Sequence, residues 1–353
     1  MIDRRTFAAG LLATGVAGAV SAQTTFNVRP GEVVPKSPMG IASTGMSQHL
    51  SQAGMREDPV RYLEYIRSIG AGGIQHAVST ELPRFRQRLE ELDMYYEGEA
   101  RLPARLSDDM GPFEQSVRNS AELGATVMRA VSRPPAGRAP GGRRYTTFTS
   151  YEEVQAWEQE ANAIVEKCLP IAERYKVAIA LENHKDRTSE EHLAFLQRFD
   201  SEYLGALIDP GNNLALMEDV EETLERLGPY AKACSLKDMG VAPYEDGFLL
   251  SEVQFGHGMS DQKKVFEILR RHNPKIHPTT ELITRDPLEI PVLTADYYRT
   301  LPMREERRDR WMEMIREKQT GLPKVSHLTP EQLLQVEEDN NIQIMNWGLA
   351  NLT

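Results

Sequence analysis

The 353-residue sequence holds only two cysteines, Cys168 and Cys234. That is too few for a disulfide framework, and no Cys-x-x-Cys pair is present to seed a zinc ribbon or a dithiol centre. Cys168 falls in a stretch of helical period and Cys234 in a strand-like run, so both read as small buried residues. No repeat at short period and no low-complexity tract occurs, which excludes solenoid and disordered architectures. Positive charge is not in excess either: Asp and Glu number 52 against 41 Lys and Arg, for a formal charge of −11. Nucleic-acid binding draws on clustered basic residues, so that class of partner is not expected.

A confident membrane span is also missing. The weakly apolar run after Asp3-Arg4-Arg5-Thr6-Phe7 is short and glycine-rich, unlike a bilayer-crossing helix. Its paired arginines, with Val20-Ser21-Ala22 ahead of Gln23, have the shape of a twin-arginine export signal over residues 1–22. A Sec signal or a tethering helix is the plainer alternative. No cysteine follows the small residues, so a lipoprotein anchor is not expected, and the cleaved chain would be periplasmic or otherwise exported with no stable membrane anchor. Cleavage leaves 331 residues at a charge of −12, because Arg4 and Arg5 against Asp3 carry +1 away.

What remains alternates strand-like runs with helical patterns, the signature of parallel strands joined by helical crossovers. Eight strand candidates stand out: 38–45, 73–78, 93–97, 125–131, 177–182, 204–209, 232–238 and 278–283. Between them, 151–175, 190–199, 219–227 and 261–271 place apolar residues three and four apart. Ser189 and Ser260, each followed by acids, mark expected helix starts. Eight such units imply a (β/α)8 TIM barrel over residues 23–300. The chain then continues as a helical extension over 301–353, with patterns at 304–318 and 329–345 too small to bury a core alone. That extension is read as a clasp on the barrel, or on a second subunit of a homo-oligomer. The Pro-, Gly- and Arg-rich connection from Arg133 to Tyr145 reads either as a solvated loop or as a lid whose arginines meet substrate.

Barrels present their chemistry at the carboxyl ends of the strands. Here those ends read Leu181-Glu182-Asn183-His184, Ile208-Asp209-Pro210-Gly211-Asn212, Ser235-Leu236-Lys237-Asp238 and Thr280-Glu281-Leu282. Glu182, Asp209 and Glu281 converge on one face, where mutual repulsion would drive them to take up protons unless a cation holds them. A hard divalent ion, Mn²⁺ or Mg²⁺, suits oxygen ligands best, while one histidine would admit Zn²⁺ or Co²⁺. Any single strand-end carboxylate also serves as an ordinary helix cap. Gln75, His76, Glu97 and Arg129 are weaker candidates on the first four strands. His49, Trp157, Trp311 and Trp347 have no motif around them and read as packing residues.

The stretch from Glu182 to Asn213, with Ser235-Leu236-Lys237-Asp238-Met239 and Glu281-Leu282-Ile283-Thr284-Arg285-Asp286-Pro287-Leu288, resembles the sugar phosphate isomerase/epimerase superfamily of xylose isomerase-like barrels. The resemblance spans nearly all of residues 38–300. It implies a metal held by Glu182, Asp209, Glu281 and a histidine on the seventh strand, where this chain instead has Ser235. The family often has Gly-Glu-Gly downstream, and this chain reads Gly256-His257-Gly258. His257 is therefore a candidate replacement ligand, or an ordinary loop histidine. The resemblance also implies a divalent-metal isomerase or epimerase working on a sugar or keto-sugar through an enediolate. In that scheme Glu182 and Glu281 act as base and acid, Lys237 stabilises an oxyanion, and His184, Asn212 and Arg129 contact substrate. Lyase and decarboxylase chemistry use the same cradle, and a sugar-binding protein that has lost catalysis is the reading Ser235 favours. An endonuclease on the related DNA-repair barrel is opposed by export, acidity and the missing histidine-rich zinc set.

Overall fold

Short runs of Ala, Ile, Leu and Val, buried on both faces, account for the sheet. In the computed structural model, which describes residues 34–134 and 143–352, the strands Ala178–Glu182 and Leu204–Ile208 are buried at every position. Continuous burial of that kind belongs to parallel sheets covered by helices rather than to strands with a wet face. The eight barrel strands are β1 (Gly40–Ala42), β2 (Gly73–His76), β3 (Tyr95–Glu99), β4 (Val127–Ala130), β5 (Ala178–Glu182), β6 (Leu204–Ile208), β7 (Ala231–Cys234) and, after a hairpin, β10 (Thr279–Thr280). They pair in parallel in the order β10-β1-β2-β3-β4-β5-β6-β7. A parallel bridge between Leu236 and Thr280 brings the two ends of that order together, so all eight expected strands form a nearly closed barrel surrounded by helices. At the floor, the Tyr95 ring fills space that only glycine leaves open: a Cβ at Gly73 would stand 2.3 Å from it.

The crossover helices follow their caps. Tyr151–Tyr175 opens on Ser150, whose side chain accepts the Glu153 N–H, and closes at Lys176 with a φ of 57°. Two caps sit one residue away from the expected ones. Thr188, not Ser189, opens Ser189–Leu196 through a reciprocal capping box with Glu191. Asp261, not Ser260, accepts the Lys263 and Lys264 N–H groups ahead of Gln262–His272. Cys168 and Cys234 are both buried and free.

The expected seventh strand divides. β7 ends at Cys234, and from Asp238 the chain turns into an antiparallel hairpin, β8 (Asp238–Tyr244) and β9 (Gly247–Val253), with β11 (Leu288–Ile290) on the far edge of β9. The two residues between the arms, Glu245 and Asp246 before Gly247, form the kind of tight connection that hairpins favour. Asp238 fastens this excursion: its carboxylate accepts the N–H groups of Met239, Gly256, Gly258 and Ser260.

The extension continues through Arg308–Glu317 to a terminal helix, Pro330–Asn351, which ends six residues beyond the pattern at 329–345. The buried Glu337 carboxylate accepts the N–H groups of Gln48 and His49 at 2.9 Å each and meets His49 Nδ1 at 2.9 Å. Asn341 donates to the Gly45 carbonyl. His49 thus has a packing role, and Trp347 lies edge-on to Phe255. The proposed export signal at 1–22, and residues 135–142 of the proposed lid, lie outside the described residues. Among the described residues no helix is long and apolar enough to cross a membrane.

Glu337→Ala leaves up to three donors without a partner, each costing about 1–3 kcal/mol when buried. A loss of about 3 kcal/mol is expected, read as a lower urea midpoint at unchanged slope. Thr329→Ala, at an exposed cap, is expected to cost only about 1 kcal/mol in the same titration.

Candidate functional site

The carboxyl ends of β5 and β6 and the residue after β10 deliver Glu182, Asp209 and Glu281. One carboxylate oxygen from each lies within 4.8 Å of the others, and all three side chains are buried, with Asp209 fully so. At such a separation two bare charges repel by about 3 kcal/mol at an effective dielectric of about 20. Two cations relieve that repulsion. Arg129, at the end of β4, donates from Nε to Glu182 Oε2 at 2.7 Å and from Nη2 to Glu281 Oε1 at 3.2 Å. Its Nη1 reaches Glu99 at 3.3 Å. Lys237 Nζ stands 2.8 Å from Glu281 Oε2 and 2.7 Å from Asp209 Oδ2. The second contact lacks hydrogen-bond alignment, which leaves Asp209 Oδ2 without a hydrogen bond among the described residues.

The charges are unevenly held. Burial pushes Asp209 up to about 7, with Glu281 and Glu182 adding to it against the pull of Lys237. Burial also opposes ionisation of Glu281, but Lys237, Arg129 and the Thr44 hydroxyl together hold its carboxyl well below the usual carboxylate range. Lys237 loses solvation on burial, yet Asp209, Glu281 and Glu252 keep it firmly protonated. His184 is held well below its ordinary value by burial and by Lys185, Lys237 and Arg129, so its imidazole is neutral. Its Nδ1 is buried without a partner among the described residues.

The remaining expected residues fall into two groups. Asn212 is at the site, but its amide is occupied within the protein: Nδ2 donates to Glu182 Oε1 at 3.0 Å and to the Asn183 carbonyl, while Oδ1 accepts from Lys185. It positions Glu182 rather than offering a free edge to substrate. Arg129 is likewise engaged by carboxylates. His257 stands apart from the acidic group: its ring is exposed, and the loop that carries it is tied down by Asp238. It lines a separate cavity beside Glu252 and Arg285. Gln75 and Glu97 bond each other at 2.8 Å. Glu97 lies two residues before the strand end and so one layer below the mouth; His76 packs edge-on against Tyr62. Arg144, from the expected lid, is buried against Glu191 and the Thr300 carbonyl.

Sequence reading missed Thr44, Glu99, Lys185, Glu252 and Arg285. Glu99 shares its strand face with Glu97, so parity offered a signal. Glu252 comes from the hairpin, 4.0 Å from Lys237 and paired with Arg285 at 2.5 Å, and nothing local to its sequence marks it.

The donor set suits a divalent cation. Three buried carboxylates supply hard oxygen ligands, Asp209 Oδ2 has no hydrogen bond, and the buried Oγ of Ser235, which like Asp209 follows the last paired residues of β6 and β7, Ile208 and Cys234, is also without a partner among the described residues. The Lys237 ammonium borders the same oxygens, so an ion and this side chain compete for them.

A family model described as xylose isomerase-like TIM barrel matches residues 63–291. A 3-oxo-isoapionate decarboxylase from Pectobacterium atrosepticum is 29% identical over 126 residues, which is 35% of this chain and 46% of that protein; the chain thus spans about half the length of this curated relative. Among solved structures, D-psicose 3-epimerase with D-tagatose from Clostridium cellulolyticum H10 is 11% identical with a TM-score of 0.55, covering 89% of this chain and 99% of that one. The 3-keto-D-glucoside 4-epimerase of E. coli is 15% identical with a TM-score of 0.51, covering 77% and 100%. At these identities the two structures establish shared fold alone.

Lys237→Met leaves Asp209 and Glu281 buried without their nearest cation. In chelator the variant is expected to lose about 3–5 kcal/mol of stability, and saturating Mn²⁺ is expected to raise its melting temperature more than that of the parent. Equal shifts in both proteins would show that ion and ammonium do not share a position.

Proposed function

From the premise that the chain belongs to the xylose isomerase-like TIM barrel family, we propose that it is a metal-dependent isomerase or epimerase of a sugar or keto-sugar, working through an enediolate. The observation that carries this reading is the buried meeting of Glu182, Asp209 and Glu281. These three residues would hold the ion, Mn²⁺ or Mg²⁺ by their all-oxygen chemistry; none of the eight histidines joins the group, which weakens the case for Zn²⁺ or Co²⁺. When bound, such an ion polarises a carbonyl and its neighbouring hydroxyl.

The chain's own groups divide the remaining work. Glu182 and Glu281 share the Arg129 Nη2 as a partner and bring carboxylate oxygens within 4.8 Å of each other, so a carboxylate of this pair can take the proton from the carbon beside the carbonyl and, once protonated, act as the acid that returns it. Arg129 and Lys237, both fixed as cations, lower the energy of negative charge developing on oxygen. Neutral His184 offers a donor or an acceptor to a hydroxyl. With residues 1–22 read as an export signal, a substrate met outside the cytoplasm would be a free sugar, a glycoside or an oxidised sugar.

The likeness to 3-oxo-isoapionate decarboxylase, with Arg129, Lys185 and Lys237 gathered at the mouth, supports a second reading. Loss of carbon dioxide from a β-keto acid breaks a C–C bond, leaves its electron pair on the same enediolate, and needs no C–H abstraction.

Proton NMR in deuterated water, with Mn²⁺ present and a panel of ketoses, 3-keto-glycosides and keto-sugar acids, separates the two. Isomerisation or epimerisation exchanges deuterium into recovered substrate and product; decarboxylation places it in product alone and releases carbon dioxide. Glu182→Gln and Glu281→Gln are each expected to slow the reaction about 10²–10⁴-fold. Turnover unaffected by either change would remove both readings.

A further inference from the structure

Beside the acidic group lies a cavity of about 200 Å³, walled on one side by β9 and the segment after β10 and on the other by the extension, through Gly321, Val325, Val336 and Asn340. We propose that it is a subsite for an uncharged glycosyl residue, so that the substrate is a glycoside spanning two sites rather than a single free sugar. This rests on the reading of the acidic group as the reacting centre. The volume is below the roughly 300–1,000 Å³ of a pocket for a whole drug-sized ligand, which suits one ring of a larger molecule.

The walls have the character of a pyranose partner. Leu282, Val325 and Val336 offer an aliphatic surface to the C–H face of a ring, while Gln254, Thr284 and Asn340 meet its hydroxyl edge. Gln254 Nε2 donates to Asn340 Oδ1 at 2.9 Å, and Asn340 Nδ2 donates to Thr284 Oγ1 at 3.2 Å. That chain of bonds leaves the Gln254 carbonyl oxygen to accept and the Thr284 hydroxyl to donate. Charge argues against an anion here. The one cationic side chain with a fixed charge in the lining, Arg285, is engaged in a two-point pair with Glu252 at 3.2 and 2.5 Å. The cavity also adjoins the reacting centre: Glu252 lines it and stands 4.0 Å from Lys237, whose ammonium is 2.7 Å from Asp209.

The test is calorimetric binding to the full chain, Mn²⁺-loaded, of glucose, gluconate and a panel of neutral glucose disaccharides covering the α and β 1→2, 1→3, 1→4 and 1→6 linkages. At least one disaccharide is expected to bind about tenfold or more tightly than glucose. In Val336→Trp, which fills the cavity, and in Thr284→Val, which removes the donor, the ratio should fall to about one, with melting temperatures confirming that each variant is folded. No disaccharide exceeding glucose by more than about twofold, gluconate binding tightest, or a ratio unchanged in both folded variants overturns the proposal. Deuterium exchange is read in parallel: exchange without disaccharide preference removes the subsite and keeps the enediolate reading, and preference without exchange keeps the subsite and removes the isomerase or epimerase reading.

Discussion

The structure depends on one electrostatic constraint, the burial of several like charges at the mouth of a barrel. Glu99, Glu182, Asp209, Glu252 and Glu281 meet Arg129, Lys185, Lys237 and Arg285 within a single network. Taking such groups from water costs several kcal/mol per ion even after pairing, and apolar side chains of similar volume would often be more stable. Retaining them therefore points away from stability and toward a task that needs concentrated charge.

The surrounding elements hold that charge in place. Asn183 ties the ends of β5 and β6 together, accepting the Asp209 N–H and donating to its carbonyl. Asn212 holds Glu182 from the other side. The hairpin β8–β9 carries Glu252 back over the mouth, and Asp238 pins the loop that follows. The terminal helix, fixed through Glu337 to the first crossover, supplies the outer wall of the neighbouring cavity. The barrel thus sets the reacting groups, while residues beyond the eighth strand shape what lies beside them.

The barrel was legible because parallel strands buried on both faces leave uninterrupted apolar runs, and Glu182 and Asp209 each close one, while Glu281 follows the short buried pair Thr279–Thr280. The divided seventh strand was not. Its two parts are separated by only three residues, and within them Leu236 pairs with Thr280, a long-range contact that no local pattern marks. His257 looked like a ligand because flanking glycines permit close approach; Asp238 instead accepts the N–H groups of Gly256, Gly258 and Ser260 around it, and the His257 side chain is exposed outside the acidic group. Glu252 carries no local signal, and Arg285, though inside the Glu281–Leu288 motif, shows no role until folding brings the hairpin and the segment after β10 together.

Electron paramagnetic resonance of Mn²⁺ titrated into chelator-treated protein measures the central claim most directly. One tightly held ion per chain is expected, lost in Asp209→Asn. A chain that leaves all Mn²⁺ free in solution, or that binds it equally well in that variant, would contradict the account.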